Sequence, residues 1–222
     1  MLRSVIKPML RSDYKRPAFL IPKIDLDFDL ISPQKANVQS KMYLKRNETK
    51  ADLVLDGVAL KLKKLSVDDV KLEQSQVTIT DETLSIPWQL LPQTDEFTVR
   101  VEVELEPEQN LSYAGLYMDG GGSFITQCEA HGFRRITYSM DRPDVLSIYN
   151  VSVTANKRDY PVLLSNGNLT ASGTGDLPTI IPGSGQWYYE IGSTGYNWDG
   201  TAANFTSAAG TYNFGQQAFS GT

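Results

Sequence analysis

Alternating apolar and polar residues run through the first three quarters of the chain and predict β-strands. In "KIDLDFDL", four apolar residues from Ile24 to Leu30 alternate with three aspartates. A period of two places the apolar side chains on one face of a strand and the carboxylates on the other. The segment "FTVRVEVELEP" repeats this pattern from Phe97 to Leu105. Because each strand has one charged face, we predict an all-β fold of antiparallel sheets whose acidic rows face solvent.

Further strands and the turns between them follow from shorter patterns. Strands are predicted in "NVQSKMYLK", "VALKLKKL", "QVTIT" and "IYNVSVTA". The Asp-Gly pairs of "LDGVAL" and "MDGGGS" predict turns between strands, and "MDGGGS" is typical of a hairpin. Only "DRPDVL" predicts a short helical turn, in which Asp141 or Asp144 caps backbone amides.

A change of composition after Asn168 divides the chain. Residues 169–222 are rich in Gly, Ser, Thr and Ala, contain no Lys or Arg, and keep many aromatic residues. That aromatic content is enough to bury against another surface, so we do not predict disorder from composition. We predict an N-terminal extension over 1–12 with a frayed terminus, a β domain over 13–168, and a β-rich appendage over 169–222.

Charge and apolar run lengths exclude two classes of partner. The net charge is −5, which disfavours nucleic acid and anionic membrane surfaces. No apolar run approaches the roughly 20 residues of a membrane-spanning helix. We therefore expect neither a nucleic-acid nor a membrane partner.

The one cysteine and the one histidine lie three residues apart, in "TQCEAHG". Cys128, Glu129 and His131 could supply three metal ligands, but neighbouring side chains on an extended strand point to opposite faces. A nucleophilic Cys128 would need His131 as its base and a third group to orient the ring, and no such group is identifiable. The sequence thus favours no metal site and no catalytic residue here, and Cys128 is interpreted as a small packing residue.

Gln127 and Glu129 are better candidates for binding. Two positions apart on a strand, they are predicted to share a face. A carboxylate beside an amide oxygen suits a protonated amine, because both groups accept hydrogen bonds. The α-amine of a free peptide has a pKa of about 7.7–8.0 and is mostly cationic at neutral pH.

The same region resembles the N-terminal domain of bacterial aminopeptidase N, a zinc metallopeptidase family. The resemblance rests on Thr126–Ala130 (TQCEA), Gly132–Arg134 (GFR), Ile136–Tyr138 (ITY) and Asp141–Val145 (DRPDV). It extends upstream to "DYKRPAFLIPKIDLDFDL" and downstream to "YPVLLSNGN", covering roughly residues 13–168. Such a family implies a saddle-like antiparallel β-sandwich, and a cytoplasmic location in bacteria.

The resemblance also implies a role for individual residues. It assigns Gln127 and Glu129 to holding the free amino terminus of peptide substrates beside a separate catalytic domain. His131 stands where relatives often carry an acid, so no function is expected for it. The family's GAMEN motif and HExxH zinc motif are both absent, and one histidine cannot form the zinc pair. Zinc belongs to the full-length family enzyme, so we expect this chain alone to bind none and to be inactive.

The appendage resembles fragments of a SPRY-type β-sandwich module. The resemblance rests on Gly185–Glu190 (GQWYYE) and Tyr212–Gln216 (YNFGQ). Only about 20 residues separate these two segments, too few for the strands of a complete sandwich. Alternative functions are therefore a carbohydrate- or protein-binding module, or a chimeric chain without evolved function. Because the first domain lacks its closing strand, we predict that Trp187–Ile191 pairs onto it as a replacement. The face that would dock a catalytic domain is expected to be partly apolar. A catalytic domain or a second copy of this chain is therefore a candidate partner.

Overall fold

The computed structural model of the protein describes Arg11, residues 14–174, and three later strands at 186–192, 204–207 and 210–213. The predicted extension over residues 1–12 lies almost wholly outside the described residues, as does most of the appendage. The described residues form fifteen strands, in chain order β1 Phe19–Ser32, β2 Lys35–Arg46, β3 Leu53–Asp56, β4 Lys61–Val67, β5 Val70–Lys71, β6 Thr78–Ile79, β7 Thr83–Ile86, β8 Glu96–Leu105, β9 Gly115–Met118, β10 Phe124–Gln127, β11 Ile148–Asn156, β12 Asn168–Thr174, β13 Gln186–Gly192, β14 Asn204–Ser207 and β15 Gly210–Asn213. Short 3-10 turns occupy Gln74–Gln76, Trp88–Leu90, Pro107–Gln109 and Phe133–Arg135.

One large sheet carries most of the fold, in the order β12-β13-β11-β1-β2-β8-β4-β5. The alternation predicted for β1 and β8 is confirmed, because their apolar rows are buried from Ile24 to Leu30 and from Phe97 to Leu105. A fully buried aliphatic side chain contributes about 1.5–3 kcal/mol relative to an exposed one, so these two rows are major contributors to stability.

A second layer covers the apolar face of that sheet. Strands β3, β7 and β6 form a three-stranded sheet, and its leucines Leu53, Leu55 and Leu84 are fully buried in the same core as β1 and β8. The predicted all-β, two-layer architecture is therefore confirmed. "LDGVAL" does form the turn between β3 and β4, but these two strands belong to different sheets.

Two local predictions were wrong. The pairing of β1 with β11 is parallel, with Lys23 opposite Ile148, so the large sheet is mixed rather than purely antiparallel. A parallel pair needs a long connection, and most of the domain lies between these strands. The segment "DRPDVL" forms no helix, only a turn at Pro143 and Asp144.

The replacement strand predicted at Trp187–Ile191 is confirmed by the strand pairing. β13 runs antiparallel to β11, with Trp187 opposite Ala155 and Ile191 opposite Val151. β12 pairs with the other side of β13, so β12 lies at the edge of the sheet. The division of the chain at residue 168 remains a prediction. Within the described part of the chain, no helix is long and apolar enough to cross a membrane.

Candidate functional site

The motif region begins with a β-hairpin that presents its last residue to solvent. β9 and β10 pair antiparallel, and Gln127 at the end of β10 lies opposite Gly115 at the start of β9. The connecting loop is held by Asp119, whose Oδ1 accepts hydrogen bonds from the backbone N–H groups of Gly121 (2.9 Å) and Ser123 (2.7 Å). The hairpin predicted from "MDGGGS" is thus confirmed, and an Asx-type contact fixes it.

Gln127 and Glu129 are adjacent, but not for the reason predicted. β10 ends at Gln127, so Glu129 lies in the turn that follows and the strand alternation does not apply to it. The contact between them is a hydrogen bond in which Gln127 Nε2 donates to the backbone carbonyl of Glu129 at 3.3 Å. Both side chains are exposed, and the Glu129–Ala130 peptide bond is cis.

A glycine closes the turn that carries Glu129. The backbone N–H of Gly132 donates to the carbonyl of Cys128 at 2.7 Å. A Cβ at Gly132 would lie 2.2 Å from the carbonyl oxygen of Gln127 and 2.7 Å from the Cα of Cys128. Since both obstructing atoms are backbone, only glycine fits this turn as it stands.

Arg134 anchors the residues after the turn. Its Nε forms an ion pair with Asp141 Oδ2 at 2.9 Å, and its Nη2 donates to the Asp141 carbonyl at 3.0 Å. Asp141 also accepts the Arg134 backbone N–H at 3.2 Å. Asp141 therefore caps the Phe133–Arg135 turn, rather than the "DRPDVL" segment for which capping was predicted.

The anchor extends to the second sheet through Asp56, the last residue of β3. Its carboxylate lies 3.7 Å from Arg134 Nη1 and accepts the Asp141 backbone N–H at 3.0 Å. Its backbone exchanges two hydrogen bonds with Ser139. Arg134 and Asp141 are mostly buried, with side chains 25% and 12% exposed, so these charge-assisted bonds hold the motif region firmly to the core.

Cys128 is a packing residue, as predicted. It is half-buried and packs against the hydrophobic core together with Phe133. Burial, with a smaller contribution from the Asp141 carboxylate, raises the pKa of the Cys128 thiol to about 11. A thiol with this pKa is protonated at neutral pH and is a poor nucleophile. His131, three residues away, is exposed.

We expect Cys128 to react slowly with iodoacetamide. At pH 8 a thiol with a pKa of about 11 has roughly 100-fold less thiolate than one with the ordinary pKa of 9.0. The measurement is the alkylation rate of the folded chain by mass spectrometry, compared with the same chain in urea. Equal rates would contradict the assigned packing role.

Free hydrogen-bonding capacity remains at the tip of the turn. Within the part of the chain that the structure describes, the Glu129 carboxylate has no partner, and Gln127 uses only its Nε2. Gln127 Oε1 therefore stays available as an acceptor. The nearest anchoring cation, Arg134, is engaged by Asp141 and Asp56. The turn thus presents a carboxylate and an amide oxygen that no hydrogen bond or ion pair of the described residues occupies.

The donor set of the described residues does not suit a metal ion. No group of three or more His, Cys, Asp or Glu side chains lies close enough together to hold one. The chain has one cysteine and one histidine, and Cys128 faces the core. Zinc, which the resemblance implies for the full-length family enzyme, does not fit these residues.

Comparison with known proteins identifies the family. The sequence model described as the peptidase M1 N-terminal domain matches residues 20–179, which is most of the chain. The chain belongs to the peptidase M1 N-terminal domain family. The SPRY resemblance of the appendage finds no support in these comparisons and stays a prediction.

Curated relatives are bacterial aminopeptidases N. The chain is 42% identical over 166 residues to that of Caulobacter vibrioides, covering 74% of this chain and 18% of the relative. It is 38% identical over 167 residues to the Haemophilus influenzae protein, covering 75% and 19%. For the Escherichia coli protein the identity is 37% over 168 residues, covering 73% and 18%. The chain thus spans about a fifth of the length of these relatives.

Solved structures agree with this M1 assignment. Legionella pneumophila aminopeptidase A, solved in complex with aspartic acid, superposes with a TM-score of 0.72 at 27% identity, covering 94% of this chain and 25% of that one. The M1 zinc metallopeptidase of Deinococcus radiodurans superposes with a TM-score of 0.64 at 14% identity, covering 80% and 39%. The second match shows the shared fold alone.

Sequence reasoning missed the residues that hold the site together. Gly132, Arg134 and Asp141 belong to the motifs that carried the family resemblance, yet no role was predicted for the glycine or the arginine. Asp56 lies 85 positions before Asp141, and no local pattern connects the two. A polar residue at the end of a buried strand, as Asp56 is, was the one signal available.

Proposed function

We propose that this M1 N-terminal domain binds the free amino terminus of peptides through Gln127 and Glu129. Hydrolysis would require a zinc-bearing catalytic domain that this chain's residues do not supply. The relatives are aminopeptidases, which makes peptide amino termini the natural ligand class. An aminopeptidase catalytic domain is the protein partner that this role implies, and self-association through the same face is the alternative.

The unpaired acceptors at the tip of the turn are the observation that carries the proposal. An ammonium group has three donors and no acceptor, so it needs oxygen atoms around it. Glu129 supplies a carboxylate and Gln127 Oε1 a second acceptor, and the hydrogen bond between the two residues keeps them together. Because the site is exposed, water competes for both groups, so the isolated domain should bind amines weakly.

We expect leucine amide to bind the full chain and N-acetyl-leucine amide not to bind. The acetyl group removes the cation and leaves the rest of the ligand unchanged. Replacing Glu129 with glutamine keeps the shape of the side chain, and it should weaken leucine amide binding by about 10-fold, since a charge-assisted bond becomes a neutral one. An NMR titration of backbone amides at residues 124–132 measures this.

Glu48→Gln is the matched control, because Glu48 is also exposed and its carboxylate has no partner among the described residues. Its affinity for leucine amide should equal that of the unmodified chain. If both substitutions weaken leucine amide binding equally, the effect comes from general surface charge and not from Glu129. If this chain alone hydrolyses leucine arylamide at a rate proportional to its concentration, the proposal that hydrolysis requires a separate catalytic domain is wrong.

A further inference from the structure

A concave surface lies apart from the proposed amine site, which consists of Gln127 and Glu129. It is an open groove of about 870 Å³ between the ends of β4 and β8, the turn after β6, and the start of β9. Its volume falls in the range of about 300–1,000 Å³ that is usual for small-molecule sites. Apolar walls come from Leu60, Ile79 and Leu111. Neither Gln127 nor Glu129 lines it.

Two polar groups of this groove have no partner in the described part of the chain. Arg135 lines the groove, and its guanidinium makes no ion pair or side-chain hydrogen bond there. Tyr138 also lines the groove and is 2% exposed, yet its hydroxyl has no hydrogen-bond partner among the residues that the structure describes. The neighbouring Arg134, by contrast, is fully engaged by Asp141 and Asp56. A buried hydroxyl without a partner destabilises a fold, and a bound group that supplies the missing acceptor would offset that cost.

The chemistry of these two groups specifies the ligand. A guanidinium offers five donors and no acceptor, and a tyrosine hydroxyl can donate to an anion. A group that accepts from both needs two lone pairs, and a negative charge on that group also compensates the guanidinium. The other lining cation, Lys61, is already paired with Glu104 at 2.6 Å, which leaves Arg135 as the free cation among the described lining residues.

The surrounding charges limit how negative that ligand can be. Asp81, Glu104 and Glu106 also line the groove, and they repel a doubly charged group such as phosphate. A carboxylate carries one charge and matches the planar fork of a guanidinium with two parallel hydrogen bonds. The apolar walls favour a hydrophobic body attached to it.

We propose that the groove binds apolar peptides through a carboxylate held by Arg135 and Tyr138. The carboxylate can belong to a free C-terminus or to an acidic side chain, since both present the same two oxygen atoms. This proposal does not depend on the amine site. Gly115 lies against Arg135 and is the strand partner of Gln127, so the two sites flank one glycine but share no ligand-binding residue.

N-acetylated peptides separate this groove from the amine site, because they carry no ammonium group. We expect N-acetyl-Leu-Leu with a free carboxylate to bind the full chain about 10-fold tighter than its C-terminal amide. N-acetyl-Leu-Asp-Leu amide tests the acidic side chain as the source of the carboxylate, and inorganic phosphate tests a plain anion. Affinities come from amide chemical shifts of residues that line the groove. The proposal is overturned if neither carboxylate peptide binds tighter than the C-terminal amide of N-acetyl-Leu-Leu, or if phosphate binds more tightly than both carboxylate peptides.

Two substitutions localise the effect. Arg135→Gln should remove the preference for the free acid. Tyr138→Phe, which keeps the ring in place, should weaken acid binding by about 3-fold through loss of one donor. Glu129→Gln is the control and should leave carboxylate binding unchanged while weakening leucine amide. Carboxylate binding that survives Arg135→Gln in a folded chain overturns the proposal.

Discussion

Replacing Gly132 with alanine is expected to destabilise the protein by about 3 kcal/mol, because overpacking against atoms that cannot yield is costly. The new Cβ would lie 2.2 Å from the carbonyl oxygen of Gln127. The turn must open to relieve this overlap, which displaces the hydrogen bond from Gly132 to Cys128 and moves Glu129 away from Gln127. Urea unfolding measures the stability, and hydrogen exchange across residues 127–132 measures the opening.

Gly120→Ala is the matched control for this substitution. A Cβ at Gly120 has open space, with no atom within 4 Å. The control should therefore change the unfolding free energy by less than about 0.5 kcal/mol, as is usual for surface positions without special geometry. If both glycine variants unfold at the same urea concentration as the unmodified chain, the tight turn at Gly132 is not as the structure shows it. Leucine amide binding should fall with Gly132→Ala and persist with Gly120→Ala.

Replacing Arg134 with methionine should lower the unfolding free energy by about 2–3 kcal/mol. Methionine keeps much of the apolar stem but removes the guanidinium, so the carboxylates of Asp141 and Asp56 lose their shared cation in a mostly buried position. Leaving a buried charge uncompensated costs more than the ion pair itself contributes. The segment from Phe133 to Asp141 should then exchange its amide hydrogens faster, which is measurable by mass spectrometry.

Arg100→Met provides the comparison. Arg100 forms an ion pair with Asp69 at 2.9 Å, a distance equal to that of Arg134 with Asp141, but its side chain is 48% exposed and that of Asp69 is 75% exposed. Exposed ion pairs contribute about 0–1 kcal/mol, so this variant should be nearly as stable as the unmodified chain. Equal losses from both variants would mean that burial does not distinguish them, contrary to the anchoring role assigned to Arg134.

The proposed amine site at Gln127 and Glu129 relies on this anchoring to hold its two side chains in place. Glu129 lies in an exposed turn, and exposed turns alone position side chains poorly. The pairing of β10 with β9 holds the backbone before Glu129, and Gly132 and the contacts of Arg134 hold the backbone after it. The GFR and DRPD motifs therefore have a structural role, which is to hold the turn that carries Glu129, in addition to marking the family.

Strand alternation is the level at which prediction worked best. Rows such as Ile24 to Leu30 have one inward and one outward face whatever they pack against, because the period of two is a property of the extended backbone. The strand at Trp187–Ile191 was predictable for a related reason, since an unpaired sheet edge attracts an aromatic, β-prone segment. The family assignment followed from a contiguous motif and needed no tertiary information.

Other features depend on contacts between distant segments. The parallel pairing of β1 with β11 is one, because both strands would satisfy their own patterns in either direction. The strand argument predicted that Gln127 and Glu129 lie together, and they do, but through a turn after β10 and not through strand alternation.

By itself, the sequence determined the all-β class, the inward rows of the long strands, the family, and the pair Gln127 and Glu129 as candidates for the amine site. Tertiary structure alone decided how Asp56, Arg134 and Asp141 meet, and that Arg135 and Tyr138 share a groove with no partner for either polar group. The reason is physical. Alternation and motifs act over neighbouring residues, whereas charge pairing and burial depend on which segments, far apart in the chain, the packed core brings together.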